Sequence, residues 1–196
     1  QQVQQERVSN HKALKSGTIK TLVTYSLINN ELKISYKSTS TVPQVFNLSN
    51  HSYFILDQAQ DVSDYLLEIN AFHRIQTDHQ LLPTGKLLSL KNDAYHFSPP
   101  KKINQIELDT PFVLNHTSKL GQRAASVYSE KSKLRMDVYT DQDILVCFTP
   151  QEFKGICFET QGYPDAPSHE NFKTIVIDKD RPYQQETRYK FEKTAE

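Results

Sequence analysis

The chain has 196 residues, of which 37% are hydrophobic, and its 23 basic and 23 acidic side chains cancel and are interspersed. That balance leaves no basic footprint for nucleic acid or an anionic membrane. No apolar run approaches the ~18 residues of a membrane span, and the length suits one domain burying about 70% of its unfolded surface.

Read in chain order, residues 1–15 form a polar, Gln-rich lead without a strand pattern, containing Arg7 and His11. Its polarity argues against a secretory signal and for a cytoplasmic setting. Residues 18–28 alternate around Ile19, Leu22 and Tyr25, and Asn29-Asn30 turn the chain into Leu32, Ile34 and Tyr36. Asn-Asn tolerates the positive φ that such a hairpin needs. Residues 65–69 and 71–76 read as short strands, the second leading to a turn at Pro83-Thr84-Gly85. Pro99-Pro100 closes an irregular stretch, and residues 101–107 hold the one expected helical turn. Strands follow at 124–128, 134–139, 144–148, 156–158, 174–177 and 183–191, with Glu130-Lys131-Ser132-Lys133 as a polar hairpin connection. Many short strands with frequent turn signals argue for an all-β sandwich. Cys147 and Cys157 both lie in apolar runs, which favours buried free thiols in a cytosolic protein over a disulfide. Their spacing and the scattered seven histidines offer no Cys/His metal pattern.

Two segments carry chemistry. Residues 155–166 read GICFETQGYPDA, placing Glu159 in an apolar run that ends in turn residues. Partial desolvation there raises a carboxyl pKa and makes it a better proton acceptor near neutrality. Residues 47–54 read NLSNHSYF, with polar groups crowding His51 and aromatics directly after it. Histidine changes charge near physiological pH and suits proton donation. Each alone has a plain structural alternative, a turn-capping Glu and a His satisfied by Asn50 or Ser52. Together they form an acid and a base able to meet across a sheet.

Both segments resemble the aldose 1-epimerases, the galactose mutarotases among them, in their NLTNHSYF and CLETQ-x-x-PDA motifs. Residues 82–85, LPTG, resemble the family's IPTG loop, and residues 108–114, LDTPFVL, its G-x-D-x-x-F-x-L segment. Residues 124–128 and 134–142 resemble its paired strands ending in T-x-Q, and Phe172 with residues 183–191 its closing strands. The order is preserved from about Ser16 to Phe191. The resemblance implies a large twisted antiparallel β-sandwich (a galactose mutarotase-like supersandwich), N-terminally incomplete, with residues 16–196 as a single partial domain. Family members carry an earlier segment with a sugar-contacting Arg and a further His that residues 1–15 do not resemble. The expectation is therefore a homodimer, or association with that missing segment.

The implied reaction interconverts the α and β anomers of a free aldose, with a monosaccharide substrate and no cofactor or metal. Opening the ring removes a proton from the anomeric hydroxyl and delivers one to the ring oxygen; rotation about C1–C2 and reversal close it. Carried over by motif, Glu159 is the base and His51 the acid, while Asp109, Asn50 and Tyr53 bind substrate. Phe54 and Tyr163 are further candidates for stacking on a pyranose or for the core. Where the family often has a sugar-contacting Gln, this chain has Val146, which points to a different substrate preference. Two other readings stay open: a non-catalytic carbohydrate-binding module on the same fold, and a sugar-phosphate epimerase of the same superfamily. The acid–base pair disfavours the first. The second needs an Arg/Lys cluster that does not accompany the motifs.

Overall fold

In a computed structural model, residues 2–11, 17–115 and 121–194 are described. The strands are β1 (Gln2–His11), β2 (Gly17–Ile28), β3 (Glu31–Ser40), β4 (Gln44–Val45), β5 (Tyr53–Phe54), β6 (Leu66–Ile69), β7 (Ala71–Thr77) and β8 (Pro83–Ser89). They continue as β9 (Lys101–Lys102), β10 (Asp109–Leu114), β11 (Arg123–Ser129), β12 (Leu134–Thr140), β13 (Ile144–Phe148), β14 (Ile156–Gln161), β15 (Val176–Ile177) and β16 (Tyr183–Lys193). The only helical piece among the described residues is a three-residue 3₁₀ turn, Ala166–Ser168.

An eight-stranded sheet, β1-β2-β3-β16-β12-β11-β6-β9, faces a six-stranded sheet, β5-β14-β13-β10-β7-β8, and every pairing is antiparallel. Strand alternation divides the smaller sheet. Phe112, Leu145, Cys147, Ile156 and Phe158 point inward onto Ile34, Leu67, Val127, Val138 and Tyr189 of the larger sheet. Each such fully buried side chain contributes about 2 kcal/mol relative to exposure. Ile144 and Val146 point the other way, into a second cluster with Ile75, Ala166 and Phe172. This outer face carries the candidate site.

The Asn29-Asn30 hairpin is formed, with Asn29 at φ 53°. Four expectations need correction. The lead does contain a strand: β1 pairs with β2 from Gln2↔Ser26 to His11↔Gly17. Its Gln and Val residues tolerate an edge position although they give no clean alternation, since Val3, Gln4 and Gln5 are all exposed. Pro83-Thr84-Gly85 opens β8 rather than turning. The turn lies earlier, where Asp78 Oδ1 accepts from the amides of Gln80 (2.8 Å) and Leu82 (3.0 Å) and Leu81 takes φ 63°. An Asx turn outcompeted the Pro-Thr-Gly signal. Residues 101–107 hold no helical segment: Lys101 and Lys102 pair with β6, and left-handed Asn104 (φ 53°) leaves a single tight turn. The strand read at 174–177 shortens to β15, paired with β4.

Candidate active site

The site grows from the free edge of β14. β5 pairs with β14 only at Ile156↔Phe54 and Cys157↔Tyr53, so the carbonyls farther along need other donors. Tyr189 Oη donates to the Phe158 carbonyl (3.1 Å), and Gln185 Nε2 (2.7 Å) and Ser49 Oγ (3.1 Å) donate to that of Thr160. Asn47 closes the row by a reciprocal pair with Gly162, accepting from its amide (2.9 Å) and donating to its carbonyl (3.1 Å). Gly162 has to be glycine here, because a Cβ would fall 2.8 Å from Ile175 Cγ2. Residues 47–54 are thereby laid antiparallel along β14, and that path carries His51 over the outward-facing side chains of the strand.

Glu159 and Cys157 sit two residues apart and so share the outer face. His51 Nε2 lies 3.0 Å from Glu159 Oε1. On the other side of the ring, His51 Nδ1 lies 3.7 Å from Cys157 Sγ, which is also 3.9 Å from the Asn50 carbonyl oxygen. The Asn50 side chain accepts from the Ser52 amide at 3.1 Å and holds the bend that presents the imidazole. The Tyr53 and Phe148 rings pack against His51 at 5.1 and 5.9 Å. His51 is about half exposed while Glu159 is mostly covered, at 54% and 19% of their side chains. Burial raises the Glu159 pKa, with Asp109 adding to the rise and His51 opposing it. Burial also pushes the Cys157 thiol up to about 12, helped by Glu159, so it stays protonated.

Asp109 is the first residue of β10, opposite Phe148. It borders a cleft of about 470 Å³ that also takes in Arg74, Thr77, Tyr95, Phe148 and Glu152. His51 and Glu159 do not line this cleft; the ring of Phe148, which does, lies 5.9 Å from that of His51. Val146 faces Glu159 directly across the ladder and is 8% exposed, so the floor beside the carboxylate is apolar. Phe54 turns inward onto Tyr189 (4.8 Å) and Tyr163 packs on Phe172 (4.9 Å), which places both in apolar clusters rather than on the cleft. Sequence reasoning read Cys157 only as a buried free thiol and did not single out Phe148 or Arg74. The placement of Cys157 was within reach, since the i, i+2 spacing of Cys157 and Glu159 puts them on one face.

His51, Cys157 and Glu159 bring their donor atoms within 4.8 Å of one another, a juxtaposition of metal-ligand types that linear spacing did not reveal. The carboxylate lies at Nε2 and the thiol at Nδ1, on opposite sides of one imidazole.

The family profile described as Aldose 1-epimerase matches residues 2–190. The chain belongs to the aldose 1-epimerase family. It is 24% identical to the maltose epimerase of Levilactobacillus brevis over 197 residues, covering 89% of this chain and 57% of that protein. Human galactose mutarotase is 28% identical over 199 residues, with coverage of 89% and 58%. The aldose 1-epimerase of Haemophilus influenzae is 30% identical over 207 residues, with coverage of 89% and 60%. The chain thus spans about three fifths of the length of the curated relatives it matches. Among solved structures, the GalM/aldose epimerase homologue from C. elegans superposes with a TM-score of 0.91 at 22% identity, covering 99% of this chain and 66% of that one. Galactose 1-epimerase from Lactobacillus acidophilus gives 0.84 at 23% identity, with coverage of 99% and 63%. These likenesses establish the mutarotase-type all-β fold.

Proposed function

We propose that this chain carries the acid–base pair of an aldose 1-epimerase that interconverts the anomers of a free, uncharged aldose. The observation that carries the reading is the 3.0 Å contact of His51 Nε2 with Glu159 Oε1, beside the Phe148 ring that lines an open cleft. A sugar settling over Phe148 and Val146 displaces that contact. Glu159 takes the proton of the anomeric hydroxyl, whose oxygen becomes the aldehyde. The C1–ring oxygen bond breaks with its electrons on the ring oxygen, which receives the Nε2 proton of His51. Rotation about C1–C2 and the reverse transfers yield the other anomer. A raised carboxyl pKa suits a base working near neutrality. Asp109, Asn50 and Tyr53 remain the proposed sugar contacts, with Asp109 accepting from hydroxyls.

Charge favours a neutral substrate over a sugar phosphate. The cleft brings together Glu107, Asp109 and Glu152, while its one Arg, Arg74, is tied to Asp93 (3.1 Å) and rests on the Tyr95 ring (4.9 Å). A phosphate there would face three carboxylates without a free guanidinium. The free thiols of Cys147 and Cys157 support a cytoplasmic setting for this chemistry. The test is anomer exchange followed by polarimetry or NMR with galactose, glucose and xylose. Exchange above the buffer rate that vanishes in Glu159→Gln supports the assignment. Sugar binding without exchange would favour the non-catalytic module instead.

A further inference from the structure

We propose that the Cys157 thiol is a positioning residue for His51, a rotating hydrogen-bond partner at Nδ1 that accepts from the imidazole in one protonation state and donates to it in another. The inference rests on the acid role given to His51 above. Three contacts define it: Nδ1 at 3.7 Å from Sγ, the Asn50 carbonyl oxygen at 3.9 Å from the same Sγ, and Glu159 Oε1 at 3.0 Å from Nε2. A thiol has one proton and one weak acceptor, and here two acceptors compete for that proton.

The protonation states follow from this arrangement. Where the imidazole is neutral and Glu159 ionised, a proton on Nε2 is the one that donates to the carboxylate. Nδ1 is then bare, and the S–H group can point at it. When His51 is cationic, both ring nitrogens carry protons. The S–H turns to the Asn50 carbonyl, and sulfur accepts from Nδ1–H. After Nε2 gives its proton to a sugar ring oxygen, the remaining neutral imidazole is the Nδ1–H tautomer, which sulfur still accepts. A second carboxylate, placed at Nδ1, would favour the cation over both neutral tautomers, and a backbone carbonyl there would permit only Nδ1–H. A buried thiol serves all three states and leaves no ring nitrogen unsatisfied. Cys157 is shielded from solvent and keeps its proton, the condition for such a rotor. The remaining neighbours do not take this role: the Tyr53 and Phe148 rings flank the imidazole, Glu152 acts on Tyr53, and Asp109 acts on Glu159.

The test is the imidazole ¹⁵N spectrum of the protein, with His51→Gln identifying the His51 signals among seven histidines. With Glu159 ionised, neutral His51 is expected as the Nε2–H tautomer, with Nδ1 shifted by a hydrogen bond that Cys157→Ala abolishes and Cys157→Ser restores. In anomer exchange, Cys157→Ala should lower kcat about tenfold with KM nearly unchanged, part of the 10²–10⁴ that a placed acid supplies, and Cys157→Ser should recover most of it. A neutral wild-type His51 in the Nδ1–H form overturns the proposal without recourse to any variant. So does an Nδ1 signal indifferent to Cys157→Ala, or Ala and Ser variants that behave alike. The Nδ1 response in a protein that exchanges no anomers would uphold the thiol–imidazole coupling and overturn the proposed function. Turnover with a silent Nδ1 would do the reverse.

Discussion

Glu159 is a carboxylate kept in a place that disfavours its charge, and two consequences follow with opposite signs. In its proposed role as base it must be ionised, so the acid limb of the rate profile should lie above the ordinary carboxyl value of 4.5, and activity should fall as pH drops through it. As a folded-state group with a raised pKa, its contribution to stability is present at low pH and is lost as pH rises through the folded value. Glu159→Gln should therefore abolish exchange by 10²-fold or more, roughly the worth of one placed base, yet melt higher than the parent at neutral pH. Calorimetry beside polarimetry reads both; a lower melting temperature would contradict the desolvation account. Val146 lies on the same rung of the ladder. Val146→Gln brings an amide beside Glu159 and should change the ratio of galactose to glucose exchange rates, whereas an unchanged ratio would remove Val146 from substrate choice.

At the scale of elements, the loops around the site are held by one buried cation. Lys154 Nζ donates to Asp57 Oδ1 (2.7 Å), the Asp57 carbonyl (2.7 Å) and the Ala59 carbonyl (2.8 Å), joining residues 56–61 to the segment between β13 and β14. Burial alone would raise Asp57, but its hydrogen bonds from Lys154 and Ser129 outweigh that and bring it to about 2. With the folded value depressed, this stabilisation is complete above about pH 4 and fades as pH falls toward 2. Lys154→Met should cost about 3 kcal/mol by stranding a buried carboxylate, and should flatten the acid limb of the stability curve. A variant with the parent's acid sensitivity would show the pair to be incidental.

What the sequence disclosed about these elements follows from the range of each signal. Strands with an apolar period, such as β12 and β14, were legible, and so was the Asn29-Asn30 turn, because each signal is local. β1 was not, since an edge strand with little to bury has no period to read. The turn at Asp78 was hidden behind a Pro-Thr-Gly signal a few residues later. Motifs pointed to His51 and Glu159 as candidates, but their contact depends on the stitching of residues 47–51 along β14, a pairing 111 to 115 residues apart that no local pattern encodes. The placement of Cys157 beneath the imidazole came from the same stitching.

For the molecule as a whole, the open edge of β1 in the larger sheet has no neighbouring strand among the described residues, and Val3 on it is exposed. Edge strands of this kind recruit further strands, so self-association is expected to rise with concentration. Light scattering across a dilution series reads it, and a constant monomer mass at every concentration would count against it. The two halves of the proposed acid–base pair also differ in how firmly the fold holds them. Glu159 sits in β14, which pairs with β13 from Cys157 to Gln161, whereas His51 lies just before β5, a strand that shares only two residue pairs with its neighbour. Gentle warming should therefore free the imidazole while the sandwich still stands. Catalysis would switch off several degrees before the circular dichroism signal collapses, and the amides of residues 47–54 would trade their hydrogens for deuterium well ahead of those in β13. Such a protein would carry a built-in thermal fuse, one that resets on cooling because nothing in its core had come apart.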